Sequence, residues 1–223
     1  MARPPAIALL LAFGVALHGQ TPAEPAAGGY ARALQAHYDT VRDFTADFTQ
    51  TYVGGVLRKR LVERGTVAVK KPGRMRWTYT SPEPKVFVSD GSQIYSYVPA
   101  DRQVFVSPMP EPDEAATALL FLSGSGNLLR DFEVRPGEEG AAPPGAVALL
   151  LAPRQAQRDY DTLTLVVDHP SLRLRSLVAT DGQGGTSTFE FRNLQENVGL
   201  TDNAFEFKIP RGADVIRSGN PSR

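Results

Sequence analysis

The chain has 223 residues, a formal net charge of zero and no cysteine, with 42% apolar and 22% charged residues. That length and composition suit one soluble globular domain with a sizeable core. The missing cysteines exclude disulfides, thiolate metal sites, cysteine nucleophiles and a lipid-modified N-terminal cysteine, and the neutral balance gives no broad field to gather nucleic acid or an anionic membrane.

Arg3 precedes an apolar run from Ala6 to Leu17. About a dozen apolar residues match the core of an export signal and are too few to span a bilayer comfortably. Residues 1–23 are therefore expected to be a signal peptide, with an N-terminal anchor that is never cleaved as the alternative, and residues 24–223 a single exported domain. An exported chain without cysteine suits a bacterial periplasm. Next, Tyr30, Leu34, Tyr38 and Val41 fall on one face of a helix predicted over Tyr30 to Val41. Phe44, Ala46, Phe48, Gln50 and Tyr52 alternate with polar residues, as in a strand. Gly54-Gly55 turns the chain into a long second strand, Leu57 to Lys70.

From Val67 to Val98 the chain reads as an antiparallel meander. Val67 and Val69 alternate with Ala68 and Lys70, and Lys71-Pro72-Gly73 breaks the run. Met75, Trp77 and Tyr79 alternate with Arg74, Arg76 and Thr78 before Ser81-Pro82-Glu83-Pro84 breaks it again. Val86-Phe87-Val88 leads into Asp90-Gly91, and Ile94 to Val98 returns. Period-two alternation bounded by Pro, Gly and Asp-Gly gives strands joined by tight turns, with one bulky apolar face. The parity of Ile94 to Val98 stays open. Gln103 to Ser107 is one more strand.

Asp113 is placed to cap a helix over Glu114 to Leu122, where Leu119, Leu120, Phe121 and Leu122 make nearly every side apolar. Such a helix needs cover or provides it. Leu128-Leu129 starts a short helical turn, and strands follow at Phe132 to Arg135, Val147 to Leu151, Thr162 to Asp168, Leu172 to Thr180 and Thr186 to Asn197. Phe205 and Phe207 lie on a terminal edge segment, and the tail beyond Pro210 is polar. About 11 short strands with an inserted helix predict a mainly β fold (α+β), an antiparallel sheet that curls on itself.

The residues of common chemistries are sparse. There are three histidines, and His18 lies in the signal region. His37 and His169 alone do not make a zinc site. Gly124-Ser125-Gly126 lacks the spacing of a nucleophile elbow, and Gly182-Gln183-Gly184-Gly185 lacks the following Lys-Ser/Thr of a phosphate loop. Arg58-Lys59-Arg60 and Lys70-Lys71, near aromatics, read as solvated strand edges and not as a nucleic-acid surface. No enzyme class rises above background, and no enzymatic activity, cofactor or metal is expected.

Four motifs then stand in order. Phe44-Thr45-Ala46-Asp47-Phe48-Thr49-Gln50 resembles the F-x-A-x-F-x-Q opening of the LolA family of periplasmic outer-membrane lipoprotein carriers. Val69 to Tyr79 resembles its V-K-R/K-P-x-x-x-R/N-W-x-Y segment, Val88 to Pro99 its V-S-D-G hairpin, and Phe205 to Pro210 its terminal F-x-F-x-x-P strand. The resemblance implies an unclosed antiparallel half-barrel covered by a helical lid that includes Glu114 to Leu122. It implies acylated lipoproteins as cargo, taken from an inner-membrane ABC transporter and passed to an outer-membrane receptor by a monomer. The acyl cavity would be lined by Phe48, Val67, Val69, Met75, Trp77, Tyr79 and by Leu119, Leu120, Phe121 and Leu122. A basic residue of the K-R-P segment latches the lid in the family, and Lys71 holds that position here. Lysine lacks the planar donor fork of the arginine found in the best-known members.

Taken alone, Phe48 and Trp77 on one sheet face read as packed core. The resemblance turns them into cavity wall. The rival readings are a LolA-like sensor of lipids or lipoproteins that regulates the envelope, a secreted hydrolase with a scattered triad, and a structural β-domain.

Overall fold

Alternation along the strands dictates the architecture, since each buried residue has its neighbours on the opposite face. The computed structural model describes residues 27–109, 126–157 and 160–218. Helix α1 (Ala27–Thr40) precedes β1 (Asp43–Val53), β2 (Arg60–Lys70), β3 (Arg74–Ser81), β4 (Lys85–Asp90), β5 (Gln93–Val98) and β6 (Gln103–Pro108). A one-turn helix, α2 (Leu128–Asp131), leads into β7 (Phe132–Pro136), β8 (Ala146–Pro153), β9 (Thr162–Asp168), β10 (Leu174–Thr180) and β11 (Thr186–Glu196). A 3-10 turn at Asp202–Phe205 and a short β12 (Asp214–Arg217) finish the chain.

All twelve strands form one open sheet in the order β12-β6-β5-β4-β3-β2-β1-β11-β10-β9-β8-β7. Every pairing is antiparallel except β12 on β6. Register shifts interrupt the ladders at Thr45/Asp47, Arg64/Gly65 and Leu174/Ser176. Such bulges bend a strand and increase its twist, which curls the sheet. At Gly65 the approach is so close that a Cβ would lie 2.0 Å from the Thr78 carbonyl oxygen. Gly65 stands between Phe48 and Tyr79 in register, and their rings meet beside it at 4.8 Å.

The expected half-barrel is thus present, with one strand more than about eleven. The additional strand is β12, in the stretch that reads as a polar tail. Its four residues are too few to show a pattern, and it forms by pairing with the free edge of β6, as in the Asp214 N–H bond to the Arg102 carbonyl (2.9 Å). The second strand starts at Arg60, not Leu57, because residues 54–59 close into a loop. There Gly54 N–H bonds to the Lys59 carbonyl and Arg58 N–H to the Gly54 carbonyl, both at 3.0 Å. Glu114 to Leu122 lies outside the described residues.

The helices cover one half of the concave face. Tyr30, Leu34 and Tyr38 are buried, and Phe44, Leu174 and Leu194 lie beneath the helix around Leu34 and Tyr38. Gln35 of α1 accepts the buried Leu128 N–H (2.8 Å), while Asn127 caps α2 through the N–H groups of Leu129 and Arg130. Leu149, Leu151, Leu163 and Leu165 below are each 1% exposed.

A second, smaller core lies on the convex face. Val88, Val104, Val106 and Phe205 are buried there, apart from the main cluster. The segment after β11 crosses this face. Arg76 donates from Nε to the Ala204 carbonyl and from its guanidinium to the Glu206 carbonyl, both at 2.6 Å. Phe207 stacks on Tyr95 with ring centres 5.3 Å apart. The Phe205 to Pro210 motif is therefore not a terminal strand. It lies across the sheet, with its carbonyls bonded to an arginine, and carries its two rings into the convex core.

Candidate functional site

The concave face is uncovered by α1 beyond β1, and there the wall residues border an open-sided cavity of about 220 Å³. Register explains its composition. Met75, Trp77 and Tyr79 of β3 pair with Ser89, Phe87 and Lys85 of β4, and Ser89 pairs with Ile94 of β5. Met75, Trp77, Tyr79, Phe87, Ser89, Ile94 and Phe189 line the cavity among the described residues, and Val88, paired with Arg76 on the other face, borders it between Phe87 and Ser89. The parity of β5 is thereby fixed: Ile94 faces the cavity, while Tyr95 and Tyr97 turn outward beneath Phe207.

The rings form a continuous cage. Phe48 packs edge-on against Trp77 (5.0 Å) and Tyr79, and Trp77 packs edge-on against Phe189 (5.4 Å). Phe189 in turn stacks on Phe191. Edge-to-face contacts of this kind add about 0.5–1.5 kcal/mol beyond area burial, so the rings help fix the shape of the wall. The Trp77 indole N–H is buried and has no acceptor among the described residues.

One end of the cavity is polar. Tyr79 donates to Gln50 (2.8 Å), and Gln50 donates to Ser187 (3.0 Å). Lys85 pairs with the largely buried Glu63 at 2.6 Å and stands 4.3 Å from the Tyr79 ring centre. Burial, then the Glu63 charge, holds the Tyr79 phenol well above its usual range. This end is therefore Tyr79 neutral beside a compensated ion pair.

Lys71 stands at the opposite end of β2. Its ammonium donates to the Tyr38 carbonyl in the last turn of α1 and lies 3.3 Å from the Tyr38 ring centre. Desolvation pushes its pKa down from 10.5 to about 8, against the pull of Asp39 and Glu196. Glu196 also accepts from His37, at 3.1 Å. Lys71 thus ties the sheet to α1.

Of the residues expected at the cavity, Met75, Trp77 and Tyr79 line it. Phe48 stands behind their rings, and Val67 and Val69 are packed at 1% and 0% exposure without lining it. Leu119, Leu120, Phe121 and Leu122 lie outside the described residues. Phe87 and Phe189 are lining residues that the motifs miss, and Ile94, inside the hairpin motif, is a lining residue whose direction the sequence leaves open. Phe189 shows in the sequence as alternation in TSTFEFRN, but its place beside Trp77 depends on β11 pairing with β1 across some 140 intervening positions.

Residues 39–208 match the family described as outer membrane lipoprotein carrier protein LolA. The chain belongs to the LolA family. An outer-membrane lipoprotein carrier protein of Chromohalobacter salexigens is 31% identical over 94% of this chain and 96% of its own length. One from Alkalilimnicola ehrlichii is 33% identical over 83% of each. Among solved structures, an uncharacterized conserved protein of Thermus thermophilus shares the fold, with a TM-score of 0.54 at 14% identity, over 84% of this chain and 99% of that one. The LolA match ends just beyond Phe207 and so takes in the cavity wall, Lys71 and the convex-face segment, but not β12.

Proposed function

We propose that this LolA-family chain works in the periplasm, binding the acyl chains of lipoproteins against the aromatic wall of its concave face. It takes them from an inner-membrane ABC transporter and delivers them to an outer-membrane receptor. The observation that carries this reading is the apolar cavity itself, walled by packed rings in a member of a carrier family. Each methylene moved from water to such a wall contributes about 0.8 kcal/mol. An aromatic and methionine surface also adapts to varied apolar shapes.

A cavity of about 220 Å³ lies below the ~300–1,000 Å³ of ordinary ligand sites. Loading a long acyl chain therefore needs the concave face to open wider, with α1 moving off the neighbouring half of the sheet. In this reading Lys71 is the latch. Its bond to the Tyr38 carbonyl is the polar tie between sheet and helix that must lengthen or break. The buried Trp77 N–H offers a donor to a carbonyl of the bound lipid.

Trp77 is the single tryptophan of the chain, so its emission reports on the wall alone. A triacylated lipopeptide is expected to shift and saturate that emission, whereas the same peptide without acyl groups is not. In a transfer assay, inner-membrane vesicles carrying lipoprotein and the matched transporter are expected to yield a soluble complex with this chain. Emission that ignores acylation, together with no soluble complex, contradicts the reading.

A further inference from the structure

The two most exposed large apolar side chains of the described residues sit together at the β1–β2 hairpin. Val56 is 78% exposed and Leu57 86%, with Tyr52 and Leu61, a cross-strand pair, at 43% and 44% just below. Arg58, Lys59 and Arg60 follow directly and are all exposed. From Gly54 to Val62 the sequence holds no acidic residue. The chain's zero net charge thus conceals a local cluster of three cations beside four exposed apolar side chains.

The loop is built to project these groups. The two backbone hydrogen bonds between Gly54 and Arg58 and between Gly54 and Lys59 close it, and Arg58 takes a positive φ of 50°. Its base is braced: a Cβ on Gly55 would fall 2.0 Å from the Gln183 carbonyl oxygen in the β10–β11 turn. Exposing aliphatic tips on a braced loop costs solvation and contributes nothing to the core. Aliphatic tips, a tyrosine and adjacent cations are the combination that favours the boundary between anionic headgroups and acyl chains.

We infer that residues 52–61 form a membrane-docking tip that inserts Val56 and Leu57 into an anionic phospholipid surface while Arg58, Lys59 and Arg60 pair with its headgroups. Charge complementarity selects this partner over a zwitterionic surface. Two ladder steps from Tyr52 and Leu61, on the same face, stand Gln50 and Glu63, the polar end of the cavity. Docking at the tip therefore brings that end close to the bilayer. It leaves Lys71 away from it by the length of β2, about 33 Å for the ten steps between its eleven residues at ~3.3 Å each.

The test is co-sedimentation of the full chain with vesicles of phosphatidylglycerol and phosphatidylethanolamine, against vesicles of phosphatidylcholine alone. The expected result is binding to the anionic vesicles that falls with salt. The triple variant Arg58→Gln, Lys59→Gln, Arg60→Gln is expected to lose more than tenfold in partitioning, since each cation near such a surface contributes about fivefold. Val56→Ser with Leu57→Ser is expected to lose at least tenfold. Both variants should keep the native unfolding temperature and the Trp77 response to acylated peptide, which separates failure of docking from failure of cargo binding. Because the chain has no cysteine, Leu57→Cys carries one polarity-sensitive label, and Glu139→Cys is the control. A label at Leu57→Cys that moves to an apolar environment on vesicles supports insertion. Equal binding by the native chain and both tip variants overturns the proposal, as does capture of acidic proteins by the tip with no vesicle binding.

Discussion

At Lys71 two effects oppose each other. Burial disfavours the ammonium, while the Tyr38 carbonyl, the Tyr38 ring, Asp39 and Glu196 favour it. Burial wins, since the pKa falls from 10.5 to about 8. Between those two values the unfolded chain holds a proton at Lys71 that the folded chain has released. Native stability from this residue therefore rises as pH climbs from 8 to 10.5 and is lower at neutral pH. Lys71→Met should remove that rise, with the half-exposed position keeping the effect modest. The Tyr38 carbonyl keeps the Val41 N–H at 3.1 Å after the substitution, so no acceptor is stranded. We expect Lys71→Met to change stability at pH 7 by no more than about 1 kcal/mol and to alter acyl loading severalfold. Urea unfolding of both proteins at about pH 7.5 and about pH 10, beside the Trp77 titration, measures this. A large loss of stability, as from a core truncation, would instead make Lys71 a packing residue.

Among the elements, the C-terminal segment shows what sequence pattern reaches and where it stops. The β3 wall is local: Met75, Trp77 and Tyr79 alternate within five residues, so their common face was readable. The parity of β5 was not, because Ile94, Tyr95 and Tyr97 are all apolar or aromatic, and only partners far along the chain tell inside from outside. Phe205 and Phe207 show the same limit. Their i, i+2 spacing gives a shared face but not whether the segment joins a ladder or lies across one. The outcome is set by Arg76, about 130 positions away, which bonds the Ala204 and Glu206 carbonyls. Phe205 is 1% exposed and packs away from the main core. Phe205→Ala is therefore expected to cost about 3–5 kcal/mol while leaving the affinity for acylated peptide within twofold. Guanidinium unfolding and the Trp77 titration test the two halves of that statement separately. A matching fall in affinity would mean that the convex face supports the cavity.

Across the whole molecule, one continuous sheet carries two differently packed halves. Beneath α1, Leu149, Leu151, Leu163 and Leu165 are sealed. From β3 to β5 the same concave face borders a void, and Phe87 and Ile94 are only partly buried. A side chain beside a void has already lost contacts on one side, so truncating it removes less than truncating a sealed one. We expect Leu165→Ala to cost about 3 kcal/mol and Ile94→Ala about 1 kcal/mol without ligand. A ligand that binds only the native state stabilises it by about 2.7 kcal/mol at a hundred times its Kd. That increment should persist in Leu165→Ala and shrink in Ile94→Ala, because only Ile94 touches the space the acyl chain would take. Thermal unfolding with and without a triacylated lipopeptide reads both quantities in one experiment. Equal increments in the two variants would place the acyl chains elsewhere than this cavity, and the half-packed sheet would then need a different explanation.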